Sequence, residues 1–110
     1  MITHLATWDG FTKLYIFNSS GSGLIMVAWY HSDPKTVMFS DLYVDDKYRG
    51  TGVAKLLIIE AINQSKKLGA EQVRIFCTKT WHMDWYSTFG FIREEEDKNE
   101  EEAWMTLLLN

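Results

Sequence analysis

The chain has 110 residues, 46% apolar and 24% charged, with one Pro, seven Gly and a single Cys. That makeup points to one domain and excludes a disordered or low-complexity chain, an internal disulfide and a multi-cysteine zinc site. The formal net charge is −4, but residues 94–102 (EEEDKNEEE) alone carry −6 and leave the rest at +2, so no strongly basic face for duplex nucleic acid is expected.

Residues 1–20 lack a basic start followed by an apolar run and a cleavage site, and no apolar run reaches membrane-spanning length. The expectation is a cytoplasmic protein with no membrane association. Residues 4–8 and 13–18 alternate and read as two strands, with Asp9-Gly10 as the hairpin turn between them. Residues 18–23 (NSSGSG) form a second turn, and the apolar run 24–30 (LIMVAWY) is a buried strand. Residues 32–35 turn the chain again, and 37–44 (VMFSDLYV) is the fourth strand.

The apolar period then changes. Val53, Leu56, Leu57, Ala61 and Ile62 recur at helical spacing, so a helix is predicted over 53–68, with Lys66 and Lys67 near its end and Gly69 as its stop. Residues 72–78 form a strand, 81–89 a short helix ended by Gly90, and 91–95 and 103–109 two strands flanking the acidic run. The order is β-β-β-β-α-β-α-β-β. It defines an α+β fold: a mixed, mostly antiparallel twisted sheet with a central β-α-β unit, whose two strands are parallel neighbours. The acidic run reads as a solvated loop in preference to a funnel for a cationic partner.

The stretch 42–57 (LYVDDKYRGTGVAKLL) carries the chemistry. A strand ends, a turn follows, and Arg49-Gly50-Thr51-Gly52 leads into the long helix. Glycines let a ligand approach the backbone, and the first helical turn has unpaired N–H groups and partial positive charge. Lys47, Arg49 and Lys55 add cations. This is a phosphate-type anion site. It is neither a Walker loop nor the full GxGxxG of a dinucleotide fold.

The run Lys47-Tyr48-Arg49-Gly50-Thr51-Gly52 resembles the acetyl-coenzyme A pyrophosphate loop of the GNAT superfamily of N-acetyltransferases, R/Q-x-x-G-x-G/A. Tyr86-Ser87-Thr88-Phe89-Gly90-Phe91 resembles the family's Y-x-x-x-G-F. The resemblance covers about residues 39–109 and implies one GNAT-like acyl-CoA N-acyltransferase domain over 1–110. It also implies residue roles. Arg49, Gly50, Thr51, Gly52, Val53, Ala54 and Lys55 would hold the pyrophosphate of acetyl-CoA, the cosubstrate. The edge of Leu42, Tyr43 and Val44 would pair with the pantetheine arm, in a gap where this strand splays from the next. An N–H near Val44 would polarise the thioester carbonyl, and Tyr86 would protonate the leaving thiolate.

Asp41 is the candidate base that would take the proton of the amine. Strict alternation puts it on one strand face with Tyr43, opposite Ser40, Leu42 and Val44, unless a bulge intervenes. Glu94 to Glu96 and His82 are further base candidates. Cys77 reads as a packing residue, and no histidine pair has convincing metal spacing. The chain departs from the family pattern at Lys47, at Lys79 (where an Asn is common) and at His82 (where a small residue is usual). It also has only a turn where the family places helices between the first two strands, so the acceptor groove is open or completed by a partner subunit in a homodimer. The resemblance implies transfer of an acetyl group to a primary amine of a cationic acceptor, a small amine or a protein lysine. The competing reading is a non-catalytic module that keeps the fold and binds CoA or a protein.

Overall fold

The computed structural model describes residues 1–94 and 101–109. Seven strands form one sheet: β1 (Ile2–Trp8), β2 (Phe11–Phe17), β3 (Gly23–Tyr30), β4 (Thr36–Val44), β5 (Gln72–Cys77), β6 (Ile92–Arg93) and β7 (Ala103–Leu108). Two helices, α1 (Val53–Lys67) and α2 (Thr80–Ser87), follow β4 and β5, and a single 3-10 turn (Asp46–Tyr48) links β4 to α1. The strand order is β1-β2-β3-β4-β5-β7-β6. Only β4 and β5 pair in parallel, as the β-α-β order predicts.

The helix positions follow from chain handedness. The β4-α1-β5 and β5-α2-β6 crossovers step in the same direction along the sheet, and right-handed crossovers of that kind place both helices on one face. Leu14, Ile16, Val27, Phe39, Val73, Ile75 and Cys77 point to that face and join Leu57, Ile58, Met83 and Tyr86 in one buried core. Val53, Leu57, Ile58 and Ala61 are the buried stripe of α1. Each buried Leu or Ile contributes roughly 1.5–3 kcal/mol. α1 stops as its sequence predicts. Gly69 adopts φ +87°, its N–H bonds the Lys66 carbonyl at 3.0 Å and the Ala70 N–H bonds that of Ser65 at 3.1 Å, a Schellman ending.

The opposite face carries no helix among the described residues. β1 and β2 join through Asp9-Gly10 alone, with Trp8 opposite Phe11 and Gly10 at φ +91°. Phe11, Lys13, Tyr15 and Phe17 are half-buried there by their neighbours on the sheet. Trp8 stacks on Phe11 with centroids 4.9 Å apart, and Phe11 meets Tyr30 at 5.8 Å.

Two boundaries differ from the sequence reading. The strand expected over 91–95 is only Ile92–Arg93, because Phe91 turns into the core beside Phe39 and Tyr86. Most of the acidic run, residues 95–100, lies outside the described residues, as do Glu95 and Glu96 as base candidates.

Close packing of the sheet on α1 depends on Gly23. A Cβ there would sit 2.9 Å from both Leu57 Cδ1 and the Tyr43 carbonyl oxygen. The carbonyl belongs to the neighbouring strand and cannot rotate away, so Gly23→Ala should lower stability by about 1–3 kcal/mol. The urea midpoint measures this, and an unchanged midpoint would show that β3 and β4 part at little cost.

Candidate active site

β4 departs from regular pairing in its second half. Leu24 lies opposite Tyr43 and Met26 opposite Ser40, so β4 has one more residue than β3 between those pairs. The extra residue falls at Asp41–Leu42, and Asp41 takes φ +53°, the only non-glycine residue with positive φ among those described. This is a β-bulge, with an Asp where its short polar side chain tolerates the left-handed region. The bulge corrects the alternation expected from sequence. Ser40 and Tyr43 now share the helix-free face, while Leu42 and Val44 pack against the core with Phe39.

Pairing between β4 and β5 ends at the bulge. It runs from Thr36–Gln72 to Phe39–Ile75 and no further. From Ser40 to Val44 the edge of β4 that faces β5 therefore has no strand partner. A cavity of about 1000 Å³ lies at this splay and is lined from both faces of the sheet. Ile75, Cys77, Ala54, His82 and Tyr86 line it on the helix side, and Lys13, Ala28, Met38, Phe76 and Trp104 on the other. Asp41 and Leu42 also line it, so the sequence candidates Asp41, Leu42, Ala54, His82 and Tyr86 meet in one cavity.

The turn into α1 follows directly. Asp45 accepts a bond from the Lys47 N–H at 3.1 Å and caps the 3-10 turn. Both the N–H and the hydroxyl of Thr51 turn back to the Tyr48 carbonyl. Gly50 and Gly52 have φ +80° and +89°, with no atom within 4 Å of where a Cβ would stand. The first bond of α1 runs from the Leu56 N–H to the Gly52 carbonyl at 3.1 Å. The Val53, Ala54 and Lys55 amides therefore precede the helical ladder. No side chain caps them, and no acidic residue stands in the first turn. The result is an open cradle of amides and partial positive charge that suits a diphosphate. Among the expected residues, the Thr51 N–H is already bonded, and so is the Arg49 N–H, to the Asp46 carbonyl at 3.4 Å. Lys55 and Arg49 are exposed nearby, and Arg49 pairs with Asp46 at 3.1 Å.

Tyr86 is 7% exposed and projects from α2. Burial, reinforced by Cys77, raises its hydroxyl far above the ordinary phenol range. It keeps its proton at neutral pH and can donate a hydrogen bond. No described protein group takes its hydroxyl bond. Burial lowers His82, with help from the Lys79 charge, which favours the neutral imidazole. Glu94 is elsewhere. Arg74 grips it with bonds of 2.7 and 2.9 Å, and the Thr106 hydroxyl donates to it at 2.8 Å. Those bonds hold its carboxyl below the usual range. It lines a separate hollow with Asp33 and Gln72, which removes it from the candidates for base.

Sequence reasoning missed Lys13, Phe76 and Trp104. β2 reads FTKLYIF, apolar at both parities, as a strand does when both faces are used, but that pattern does not say which cavity Lys13 reaches.

A model of the acetyltransferase (GNAT) domain family matches residues 11–93. No curated protein matches in sequence. Among solved structures, a GNAT family acetyltransferase from Elizabethkingia anophelis with acetyl-CoA bound superposes with TM-score 0.71 at 17% identity, covering 92% of this chain and 78% of the other. A Bacillus subtilis acetyltransferase in complex with CoA gives 0.70 at 19%, covering 93% and 79%. The PaiA N-acetyltransferase of Thermoplasma acidophilum in complex with coenzyme A gives 0.71 at 21%, covering 91% and 62%.

Cys77 offers a test of the environment around Tyr86. Burial pushes its thiol up to about 11, so at pH 8 it should react with a disulfide reagent about 100-fold more slowly than in urea. Stability tied to this group is full below the unfolded thiol's pKa near 9 and is lost as pH rises toward 11. Equal rates in native and unfolded protein would show that the cavity floor is wet. The family match over most of the chain agrees with the splayed parallel pair and the amide cradle, and the chain belongs to the GNAT acetyltransferase family.

Proposed function

We propose that the protein is an acetyl-CoA-dependent N-acetyltransferase that transfers the acetyl group to the primary amine of an acceptor by direct attack in a ternary complex. The observation that carries this reading is the unpaired edge of β4, which borders a cavity reaching from the α1 amides to Tyr86. The amides of Gly50, Gly52, Val53, Ala54 and Lys55 hold the diphosphate of the cosubstrate. Leu42, Tyr43 and Val44 offer backbone groups to the pantetheine arm, which lies along β4 as an added strand does. The acyl group then reaches the splay. Bound CoA and acetyl-CoA in the structural neighbours support the choice of carrier.

The amine nitrogen attacks the thioester carbonyl carbon, a C–N bond forms, and the C–S bond breaks. One proton leaves the ammonium before attack, to Asp41 or His82 directly or through water; the second leaves the nitrogen as the amide forms and ends on the CoA sulfur. An unperturbed amine near pKa 10.4 is neutral in about one molecule in a few thousand at pH 7, so this first proton matters. Tyr86 donates a hydrogen bond to the developing thiolate. Its raised pKa keeps the proton on the phenol at neutral pH, ready for that bond.

Two substitutions test the assignment separately. Gly52→Glu places a charged side chain and a disfavoured φ in the cradle, and should weaken CoA binding at least about tenfold in calorimetry. Undiminished binding by a folded variant refutes the cradle. Tyr86→Phe should keep CoA binding and lower kcat by about 10²-fold, read as free thiol released from acetyl-CoA with an amine panel. Carrier binding with no thiol release from any amine would favour a non-catalytic module.

A further inference from the structure

Resting on the acyl-transfer reading, we propose that the preferred acceptor carries a carboxylate beside its amine, as a free amino acid with an apolar side chain does, with Asp41 facing the ammonium end and Lys13 the carboxylate. Both residues line the splay cavity. Besides His82, they are the only ammonium- and carboxylate-bearing side chains among the described residues of its lining; the rest is aliphatic, aromatic, thioether, hydroxyl, thiol or phenol. Neither side chain forms an ion pair or hydrogen bond with any described residue. Lys13 is half-buried beside a largely apolar groove, where a carboxylate of the acceptor would meet an ammonium with no side-chain partner among the described residues.

The sheet register sets the spacing. Lys13 lies opposite Ala28 and Ala28 opposite Met38, so Lys13 shares a row with Met38 two strands away. Asp41 is three residues farther along β4. At about 4.8 Å per strand and 3.3 Å per residue, their Cα atoms are roughly 13–14 Å apart. The two side chains close part of that span and leave a gap too wide for a direct pair but suited to a small zwitterion. Ala28 presents only a methyl group in the row, so the Lys13 stem can cross it toward the splay. Tyr30, Phe76 and Trp104 line the same cavity and provide an apolar wall for the acceptor's body.

Charges facing the acceptor from other elements do not reverse this pattern. Arg74 beneath the neighbouring hollow is paired with Glu94 and stacks 4.2 Å over Trp104. Lys79 lies over Trp81 at 5.7 Å and outside the cavity lining, though its charge acts on His82. A polyamine, with cations at both ends, would bring like charge against Lys13.

The test compares acceptors matched except for the carboxylate: phenylalanine with phenethylamine, and leucine with 3-methylbutylamine. Thiol release from acetyl-CoA is measured with the full chain. The amino acid should have the higher kcat/KM by about tenfold, the scale of one charge-assisted contact. Lys13→Met should erase that preference mainly through KM for the amino acid, leaving KM for acetyl-CoA in place. Lys13→Glu should reverse it and favour cadaverine over lysine, a gain that a damaged fold would not produce. Equal or better turnover of the plain amines, or a ratio unmoved in Lys13→Met, overturns the zwitterion proposal and leaves acyl transfer standing. Turnover of spermidine or a lysine peptide without turnover of either amino acid does the same. Absence of thiol release with every amine on the panel overturns both.

Discussion

β4 and β5 stop pairing after Phe39 and Ile75, and the site's geometry depends on that interruption. Parallel strands of an ordinary sheet would continue, bury their edge groups against each other and leave no gap. Here the bulge at Asp41 bends β4 away while Val37 and Phe39 stay buried in the core. The edge beyond must find hydrogen-bond partners outside the sheet. The same bulge rotates Leu42 and Val44 into the core, which fixes the direction of the free edge. A single extra residue thus creates both the opening and the rigidity of its rim.

The helix end and the splay belong together for a covalent reason. The chain leaves β4 at Val44, makes one 3-10 turn and enters α1 at Val53. The connection is short, so the free amides of the helix must lie close to the free edge of the strand. Ala54 lines the cavity and belongs to the first turn of α1 at once. A ligand with a charged diphosphate at one end and an extended arm at the other fits this continuity. The Gly23 contact presses α1 onto β3 and keeps the arrangement at a fixed distance from the core.

The sequence carried the architecture because its signals were local. Helical spacing from Val53 ended at Gly69, and α1 is Val53–Lys67. Asp9-Gly10 and NSSGSG marked turns that form. The two family-like motifs named the loop before α1 and Tyr86; just after that loop, Ala54 lines the cavity that Tyr86 also lines. The bulge was less legible, since nothing in VMFSDLYV breaks the strand pattern; the Asp41 conformation is imposed by tertiary pairing. Lys13 was hidden for another reason. It lies far along the chain from the motifs and reaches the cavity only through the register Lys13–Ala28–Met38, which no short window of sequence encodes. Glu94 looked available in an acidic run, yet Arg74, twenty residues earlier, engages it.

A helix whose opening amides lack acceptors is left unfinished by its own chain. Any dissolved anion that bonds Val53, Ala54 and Lys55 in the native form, and finds no such cluster once the chain unravels, shifts the balance by mass action. At a hundred times its dissociation constant such an anion adds about 2.7 kcal/mol. Heat tolerance would then vary with the buffer as well as the polypeptide, wherever a dissolved anion such as sulfate or phosphate bonds those amides.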